Sequence, residues 1–124
     1  MPPRVLFIDD EETAHFAVRE FLGTRGYLVD CAHDAAQALA HLARVAYDVV
    51  IADLRLGGDY DLTGLALIER VRRDRPETRV LVLSACSGEI GDEALRRGAD
   101  RFLQKPQRLE DVAAVLLALR EGAR

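Results

Sequence analysis

A chain of 124 residues that is 49% hydrophobic and 31% charged has the size and composition of one globular domain, which we expect to span residues 1–124. The formal net charge of −4 argues against direct nucleic-acid binding by this domain, because that function requires a basic surface. The apolar stretch VLFI near the N-terminus is too short for a signal peptide or a membrane span, so we expect no membrane insertion and a cytoplasmic location.

Short apolar stretches alternate with longer segments of helical periodicity along the chain. In chain order, this pattern predicts the strand RVLFID, a helix over 11–25, the strand YLVDCA, a helix over 34–45, the strand YDVVIAD, a helix over 63–74, the strand TRVLVLS, a helix over 87–97, the strand DRFLQ and a helix over 108–120. Asp34 and Gln37 have the spacing of a capping box, which supports the start of the second helix.

Three of the predicted strands contain continuously apolar runs, VLFI, VVIA and VLVL. Such runs are typical of parallel strands that are covered on both faces. Strict alternation of strands and helices, with short connections and right-handed crossovers, predicts an α/β fold: a doubly wound, five-stranded parallel sheet with five helices on both faces. Ligands of such sheets bind beyond the carboxyl ends of the strands, so the residues at those ends indicate the function.

Ionisable and hydroxyl side chains lie at the carboxyl ends of four predicted strands. Asp9 and Asp10 end the first strand, Asp53 ends the third, Ser84 ends the fourth, and Lys105 follows the fifth. Three carboxylates at one edge repel one another unless a cation neutralises them, and Mg²⁺ (or Mn²⁺) binds such oxygens together with water and phosphate. A lysine and a serine suit the remaining phosphoryl oxygens, one by charge and one by hydrogen bonding.

Other polar residues have simpler structural interpretations. Glu11 and Glu12 favour the N-terminus of the first helix. The arginines at the end of the third helix complement the helix dipole; they are Arg70, Arg72, Arg73 and Arg75. The histidines His15, His33 and His41 show no metal-ligand spacing, and we expect them at surface positions of helices or loops.

Taken together, these motifs resemble the receiver domain of bacterial two-component response regulators. The resemblance covers residues 5 to about 119 and rests on the acid pair in IDD, the aspartate in VVIADL, the hydroxyl and small residue in LSA, GAD before the fifth strand, and KP after it. It implies a flavodoxin-like sheet with the strand order 2-1-3-4-5. It also implies a signalling switch that works through an aspartyl phosphate.

Residue by residue, the resemblance implies that Asp53 accepts a phosphoryl group from the phosphohistidine of a sensor histidine kinase or a histidine phosphotransfer protein. Asp10 would bind Mg²⁺ directly and Asp9 through a bound water. Asp53 and the backbone carbonyl of Arg55 would supply further metal ligands. The domain would be no enzyme apart from catalysing its own phosphoryl transfer and dephosphorylation.

The resemblance also assigns roles around the fifth strand. Ser84 would hydrogen-bond the phosphoryl group, and Lys105 would pair with the acceptor carboxylate. The Lys105–Pro106 peptide is expected to be cis. Ser84 and the aromatic Phe102 would form the switch, with Ser84 moving toward the phosphorylated aspartate and Phe102 swinging inward. The output face would comprise the fourth helix, the fifth strand and the fifth helix, including Ile90, Arg97, Arg101 and Arg108.

The loop after Asp53, LRLGGDYDLTG, lacks the proline that is usual in the family and is longer than usual. We interpret its acids, Asp59 and Asp61, as solvated loop residues; alternatively they slow access of phosphodonors or contribute to partner binding. The sequence also leaves the output open: either a downstream protein or an attached output domain reads the switch, and the domain is a monomer or a dimer promoted by phosphorylation.

Three alternative functions remain. A receiver-like scaffold would bind partners without any phosphate. A small aspartyl-phosphate phosphohydrolase would need two aspartates one residue apart, whereas Asp9 and Asp10 are adjacent. A flavodoxin-like cofactor binder would need a phosphate-binding loop rich in glycine, serine and threonine after the first strand, and the DDEE stretch does not supply one.

Overall fold

The computed structural model describes residues 1–53, 60–85 and 88–122, with the side chains of residues 60–63 and 88–89 left out. The strands are β1 (Arg4–Ile8), β2 (Leu28–Ala32), β3 (Val49–Asp53), β4 (Arg79–Ser84) and β5 (Arg101–Gln104). The helices are α1 (Glu12–Gly23), α2 (Ala35–Arg44), α3 (Tyr60–Asp74), α4 (Gly88–Arg96) and α5 (Leu109–Arg120). None of the helices in these described ranges has the length and hydrophobicity needed to cross a membrane.

The five strands form one parallel sheet in the order β2-β1-β3-β4-β5, which confirms the predicted doubly wound fold. Four of the strands begin one or two residues later than the sequence pattern predicts. The start of the third helix is wrong in the prediction: α3 begins at Tyr60, not at residue 63. The glycine- and aspartate-rich sequence before Leu62 has the composition of a loop, yet its last residues continue the helix.

The core lies on both faces of the sheet because successive strand residues point to opposite sides. In β3, for example, Val50 and Ala52 join the cluster under α2, α3 and α4, whereas Val49 and Ile51 join the cluster under α1 and α5. All five residues of β3 are buried, as expected for a central parallel strand. The carboxyl end of this strand is therefore rigidly supported from both sides.

The predicted capping box of α2 is present in a shifted form. The backbone N–H of Gln37 donates to Asp34 Oδ1 (2.8 Å), which satisfies one of the free donors of the first turn. The Gln37 Oε1 accepts from the backbone N–H of His33 (2.7 Å), one residue before the N-cap. The two bonds fix the turn that leads from β2 into α2.

One arginine of the basic cluster ties α3 to the start of β5. Arg72 donates hydrogen bonds to the carbonyls of Gly98 (3.0 Å) and Pro76 (2.8 Å) and to Asp100 Oδ2 (2.6 Å). Asp100 also accepts from the backbone N–H of Val80 in β4 (2.7 Å). These contacts give Arg72 a structural role in tertiary packing, in addition to the helix-dipole role predicted for the cluster, and they fix the strand that leads to Lys105.

Candidate functional site

The first acidic residue of the site, Asp9, follows β1 directly and is 2% exposed. Its backbone N–H donates to the carbonyl of Ala32 at the end of β2 (3.0 Å). Its side-chain Oδ1 accepts from the backbone N–H of Glu11 (3.0 Å). The Asp9 carboxylate is thus held in a defined position at the carboxyl edge of the sheet.

Lys105 brings the ends of β1, β3 and β5 together. Its Nζ donates to Asp53 Oδ2 (2.7 Å) and lies 3.6 Å from Asp9 Oδ2. Both carboxylates are buried, whereas the lysine side chain is about a third exposed. The backbone N–H of Lys105 donates to the carbonyl of Ser84 (2.8 Å), and the Lys105–Pro106 peptide is cis. Residues that are far apart in sequence therefore share one charged cluster.

The electrostatics of this cluster are unbalanced toward negative charge. Burial raises the pKa of the Asp9 carboxyl, and the charges of Asp53 and Asp10 raise it further, although the Glu11 N–H and the Lys105 ammonium act in the opposite direction. Burial acts to lower the pKa of Lys105, but its hydrogen bond to Asp53 and the charge of that carboxylate outweigh this effect and raise the pKa. The single ammonium is strongly held, and the site favours additional positive charge.

A compact acidic group lies beside this ion pair. Carboxylate oxygens of Asp9, Asp10 and Glu11 lie within 4.8 Å of one another, with Asp9 buried and the other two exposed. The sequence interpretation limited Glu11 to the N-terminus of α1, and the structure does place it at the N-cap, where its side chain makes no capping hydrogen bond. Its carboxylate instead belongs to the acidic group. Hard carboxylate oxygens at this spacing suit a hard divalent cation.

Ser84 completes the described part of the site. It is fully buried at the end of β4, and it lies one residue beyond Leu83, the partner of Asp53 in the β3–β4 register. The expected ligand Arg55 and the loop acid Asp59 lie outside the described residues, as does the side chain of Asp61. The structure therefore brings together Asp9, Asp10, Asp53, Ser84 and Lys105.

His15 contradicts the expectation that the histidines lie at the surface, because it is only 6% exposed. It shares the buried side of α1 with Val18 and Leu22, so the helical spacing of these three positions is the signal that could have revealed it. The His15 Nε2 lies 2.6 Å from the carbonyl oxygen of Asp9. His33 and His41 are half-buried.

Phe102 lies in β5, three residues before Lys105, and its half-buried ring packs against the core cluster under α4 together with Ile90. The ring contacts α4 at a glycine. A methyl group placed on Gly91 would lie 2.5 Å from Phe102 Cδ2 and 2.7 Å from Cε2, which is far inside van der Waals contact. The glycine thus gives the ring the space that it occupies.

Fold and site together match one family. The family model described as the response regulator receiver domain matches residues 5–117. The chain belongs to this family, and it is a receiver domain of two-component response regulators.

Known relatives show the same relationship. The chain is 35% identical over 119 residues to the transcriptional regulatory protein TrcR of Mycobacterium tuberculosis. This alignment covers 95% of the present chain and 45% of TrcR. A response regulator of Burkholderia pseudomallei, solved with a phosphorylated aspartic acid, a calcium ion and citrate, superposes with a TM-score of 0.86 at 32% identity over 97% of this chain and 69% of that chain. TrrA of Thermotoga maritima, solved with Mg²⁺ and beryllium fluoride, superposes with a TM-score of 0.82 at 26% identity over 94% of this chain and 98% of that chain.

The chain spans 45% of TrcR and so about half the length of that curated relative. The regulation of transcription named for TrcR is an activity of that longer protein. What the present domain shares with it is sequence similarity over the region that matches the receiver domain.

Proposed function

We propose that this receiver domain is a phosphoacceptor switch in which Asp53 accepts a phosphoryl group with the help of Mg²⁺. The observation that carries the proposal is the buried Asp53 carboxylate, 2.7 Å from the Lys105 ammonium and next to a group of three further acids. A simple ion pair needs one carboxylate for one ammonium. Asp9 is a second buried carboxylate beside the same ammonium, and its pKa is raised by burial and by the charges of Asp53 and Asp10. Its negative charge therefore disfavours folding, and a role in binding explains its presence better than a role in stability.

The residues that would hold the cation are Asp9, Asp10 and Asp53, together with the backbone carbonyl of Arg55. Mg²⁺ typically binds one or two carboxylates directly, so Asp10 and Asp53 would be direct ligands and Asp9 would act through a bound water. The remaining coordination positions are left for water and phosphate oxygens, which agrees with the exposure of Asp10 to solvent. When bound, the cation neutralises negative charge on the acids and on the phosphoryl group. The metal named in the TrrA structure, which shares this fold, supports the same choice of ion.

For the transfer itself, an Asp53 carboxylate oxygen attacks the phosphorus of a phosphohistidine. A new O–P bond forms, the P–N bond breaks, and the imidazole leaves as the free histidine of the donor. Lys105 keeps its charge beside the transferred oxygens, and the Ser84 hydroxyl donates a hydrogen bond to one of them. Water later hydrolyses the acyl phosphate and restores the carboxylate, so the domain catalyses only its own modification and its reversal.

The new charge on Asp53 would be read through β4 and β5. Ser84 moves toward the phosphoryl group, and Phe102 moves inward from its half-buried position against α4. These two side chains change the surface of α4, β5 and α5, which includes Ile90, Arg97, Arg101 and Arg108. A switch of this kind couples a local charge to a bistable packing arrangement.

The partners follow from this chemistry. A sensor histidine kinase or a histidine phosphotransfer protein supplies the phosphoryl group in the cytoplasm. A downstream protein or an attached output domain reads the altered surface, and the domain acts as a monomer or as a dimer that phosphorylation promotes. The phosphorylated aspartic acid in the Burkholderia pseudomallei structure supports the covalent step of the proposal.

Gly91→Ala tests the packing of the switch. We expect the added methyl group to displace the Phe102 ring and to lower the free energy of unfolding by about 1 kcal/mol, because overpacking at about 1–3 kcal/mol outweighs a helix-propensity gain of about 1 kcal/mol. Urea denaturation and the aromatic NMR signals of Phe102 measure the two effects. Gly23→Ala at the end of α1 is the control, since nothing lies within 4 Å of its added methyl group. Equal effects of the two substitutions would show that Gly91 does not shape the switch.

The central test uses acetyl phosphate as the phosphodonor, with and without Mg²⁺, and intact-mass spectrometry as the readout. We expect the wild-type protein to gain one phosphoryl adduct in Mg²⁺ and none in EDTA, and Asp53→Asn to gain none. Asp92→Asn, an exposed position on α4, makes the same charge change outside the site and should leave the adduct unaltered. An adduct that survives Asp53→Asn contradicts the proposed acceptor. No adduct on the wild type favours a phosphate-independent scaffold.

A further inference from the structure

A buried histidine contacts the backbone between β1 and the acidic group. His15 Nε2 and the Asp9 carbonyl oxygen are 2.6 Å apart. A carbonyl oxygen only accepts, so the imidazole Nε2–H is the donor. The Asp9 N–H donates to Ala32 at the same time, so both polar atoms of this residue's backbone are engaged. Neither contact belongs to a helix or to the hydrogen bonds between the strand residues of β1 and β2.

The hydrogen-bonded carbonyl belongs to the peptide that joins Asp9 to Asp10. A peptide unit is planar, so the direction of its C=O also sets the direction of the following N–H and Cα. Fixing the Asp9 carbonyl therefore limits the positions that the Asp10 carboxylate can reach. Asp10 is exposed, and burial does not hold its side chain in place.

The imidazole is itself held on two sides. The ring of Phe7 contacts it edge-on at a centroid distance of 5.8 Å and an angle of 78°. The ring of His33, the residue after β2, contacts it in a tilted arrangement at a centroid distance of 4.6 Å and an angle of 51°. A donor held this way is preorganised, because the ring has little freedom to leave the carbonyl.

We propose that His15 is a positioning residue for the divalent cation: its Nε2–H holds the Asp9–Asp10 peptide so that the Asp10 carboxylate points into the acidic group. The proposal rests on the metal site proposed above. Loss of a side chain that hydrogen-bonds a metal ligand commonly lowers the metal affinity by about 10–100-fold. Because His15 acts through the backbone and not on the Asp10 carboxylate itself, we expect an effect at the lower end of that range.

The test compares Mg²⁺ binding by titration calorimetry among matched variants. His15→Phe keeps a ring between Phe7 and His33 but has no N–H, and His15→Gln retains an N–H donor of similar reach. His41→Phe makes the same exchange on α2, away from the site. We expect His15→Phe to weaken Mg²⁺ binding about tenfold, His15→Gln to recover most of this loss, and His41→Phe to bind as the wild type does.

A second readout separates positioning from general loss of structure. At saturating Mg²⁺, we expect the rate of adduct formation from acetyl phosphate to return to within about twofold of the wild type in His15→Phe, because only the affinity step is affected. Unchanged Mg²⁺ affinity in His15→Phe, or equal weakening in His15→Phe and His15→Gln, overturns the role of the donor. Absence of Mg²⁺ binding by the wild type overturns the proposed function instead.

A measurement on the wild-type protein covers the case in which His15→Phe does not fold. Long-range ¹H–¹⁵N correlation spectra identify the tautomer of a neutral imidazole, when recorded above the pH range in which histidine titrates. We expect His15 to be the Nε2–H tautomer with a slowly exchanging proton. An Nδ1–H tautomer contradicts the proposal, because Nε2 would then have no proton to donate.

Discussion

Lys105→Arg should leave Mg²⁺ binding almost unchanged and abolish most of the response to phosphorylation. The ammonium lies 2.7 Å from Asp53 and 3.6 Å from Asp9, so it occupies a space bounded by two buried carboxylates. A guanidinium is planar and broader, and its fork pairs with one carboxylate instead of acting as a point charge between two. We expect the variant to keep its positive charge but to lose the ability to follow the phosphoryl oxygens.

The measurement is the set of backbone amide shifts in α4, β5 and α5 on addition of beryllium fluoride, which mimics a phosphoryl group. We expect shift changes below about a tenth of those in the wild type, while the Mg²⁺ affinity stays within about threefold. Arg44→Lys at the exposed end of α2 is the matched control, since it makes the reverse exchange outside the site. Full shift changes in Lys105→Arg would show that any cation suffices at this position.

The fold is readable from the sequence because its main determinants are local. The apolar runs that become β1, β3 and β4 have the length of buried strands, and the strand ends place Asp9, Asp53 and Lys105 at one edge. Strand order is different in kind: it depends on which strands pair, and local periodicity does not encode pairing. That order was available only through the family resemblance, and the structure confirms it.

The site residues that sequence reasoning missed depend on tertiary context. The helical spacing places His15 on the buried side of α1, but the hydrogen bond to the Asp9 carbonyl that satisfies its imidazole depends on the tertiary structure. An acidic residue such as Glu11 is expected at the start of a helix, so its sequence position gives no sign of a second role. Its place in the acidic group depends on the direction of its side chain, which the sequence does not show. The need for a glycine at position 91 could not be predicted from the sequence either, because it arises from the tertiary contact between the Phe102 ring and α4.

A short stretch of β5 connects the two halves of the proposed mechanism. Phe102 packs against α4, and Lys105 pairs with Asp53 only three residues later. Arg72 fixes the start of the same strand through Gly98 and Asp100. In the proposed switch, a change in charge at Asp53 would therefore act on a strand whose far end is held in place. This arrangement would favour side-chain movement at Phe102 over displacement of the whole strand.

Asp10→Asn should strongly weaken Mg²⁺ binding with little effect on the fold. Asp10 is exposed, and asparagine has the same shape, so the substitution removes one charge without removing packing. A cation of this type binds through one or two carboxylates, so loss of one should weaken binding by at least the roughly 100-fold that loss of a ligand's hydrogen-bonding partner can cost. Calorimetry with Mg²⁺ and the yield of the phosphoryl adduct measure the effect, with Asp92→Asn as the control for net charge.

The same substitution separates function from stability. The charge of Asp10 helps to raise the pKa of Asp9, so the buried Asp9 carboxylate is more costly to ionise while Asp10 is charged. Neutralising Asp10 removes this repulsion, and we expect the metal-free variant to unfold at a temperature equal to or slightly above that of the wild type. Mg²⁺ at a concentration that just saturates the wild type should then raise the melting temperature of the wild type far more than that of Asp10→Asn, because a ligand stabilises only the state that binds it. Equal stabilisation of both proteins by Mg²⁺ would place the cation elsewhere. Loss of stability in the metal-free variant would mean that Asp10 stabilises the fold. The acidic group would then not be a binding site whose mutual repulsion lowers the stability of the metal-free protein.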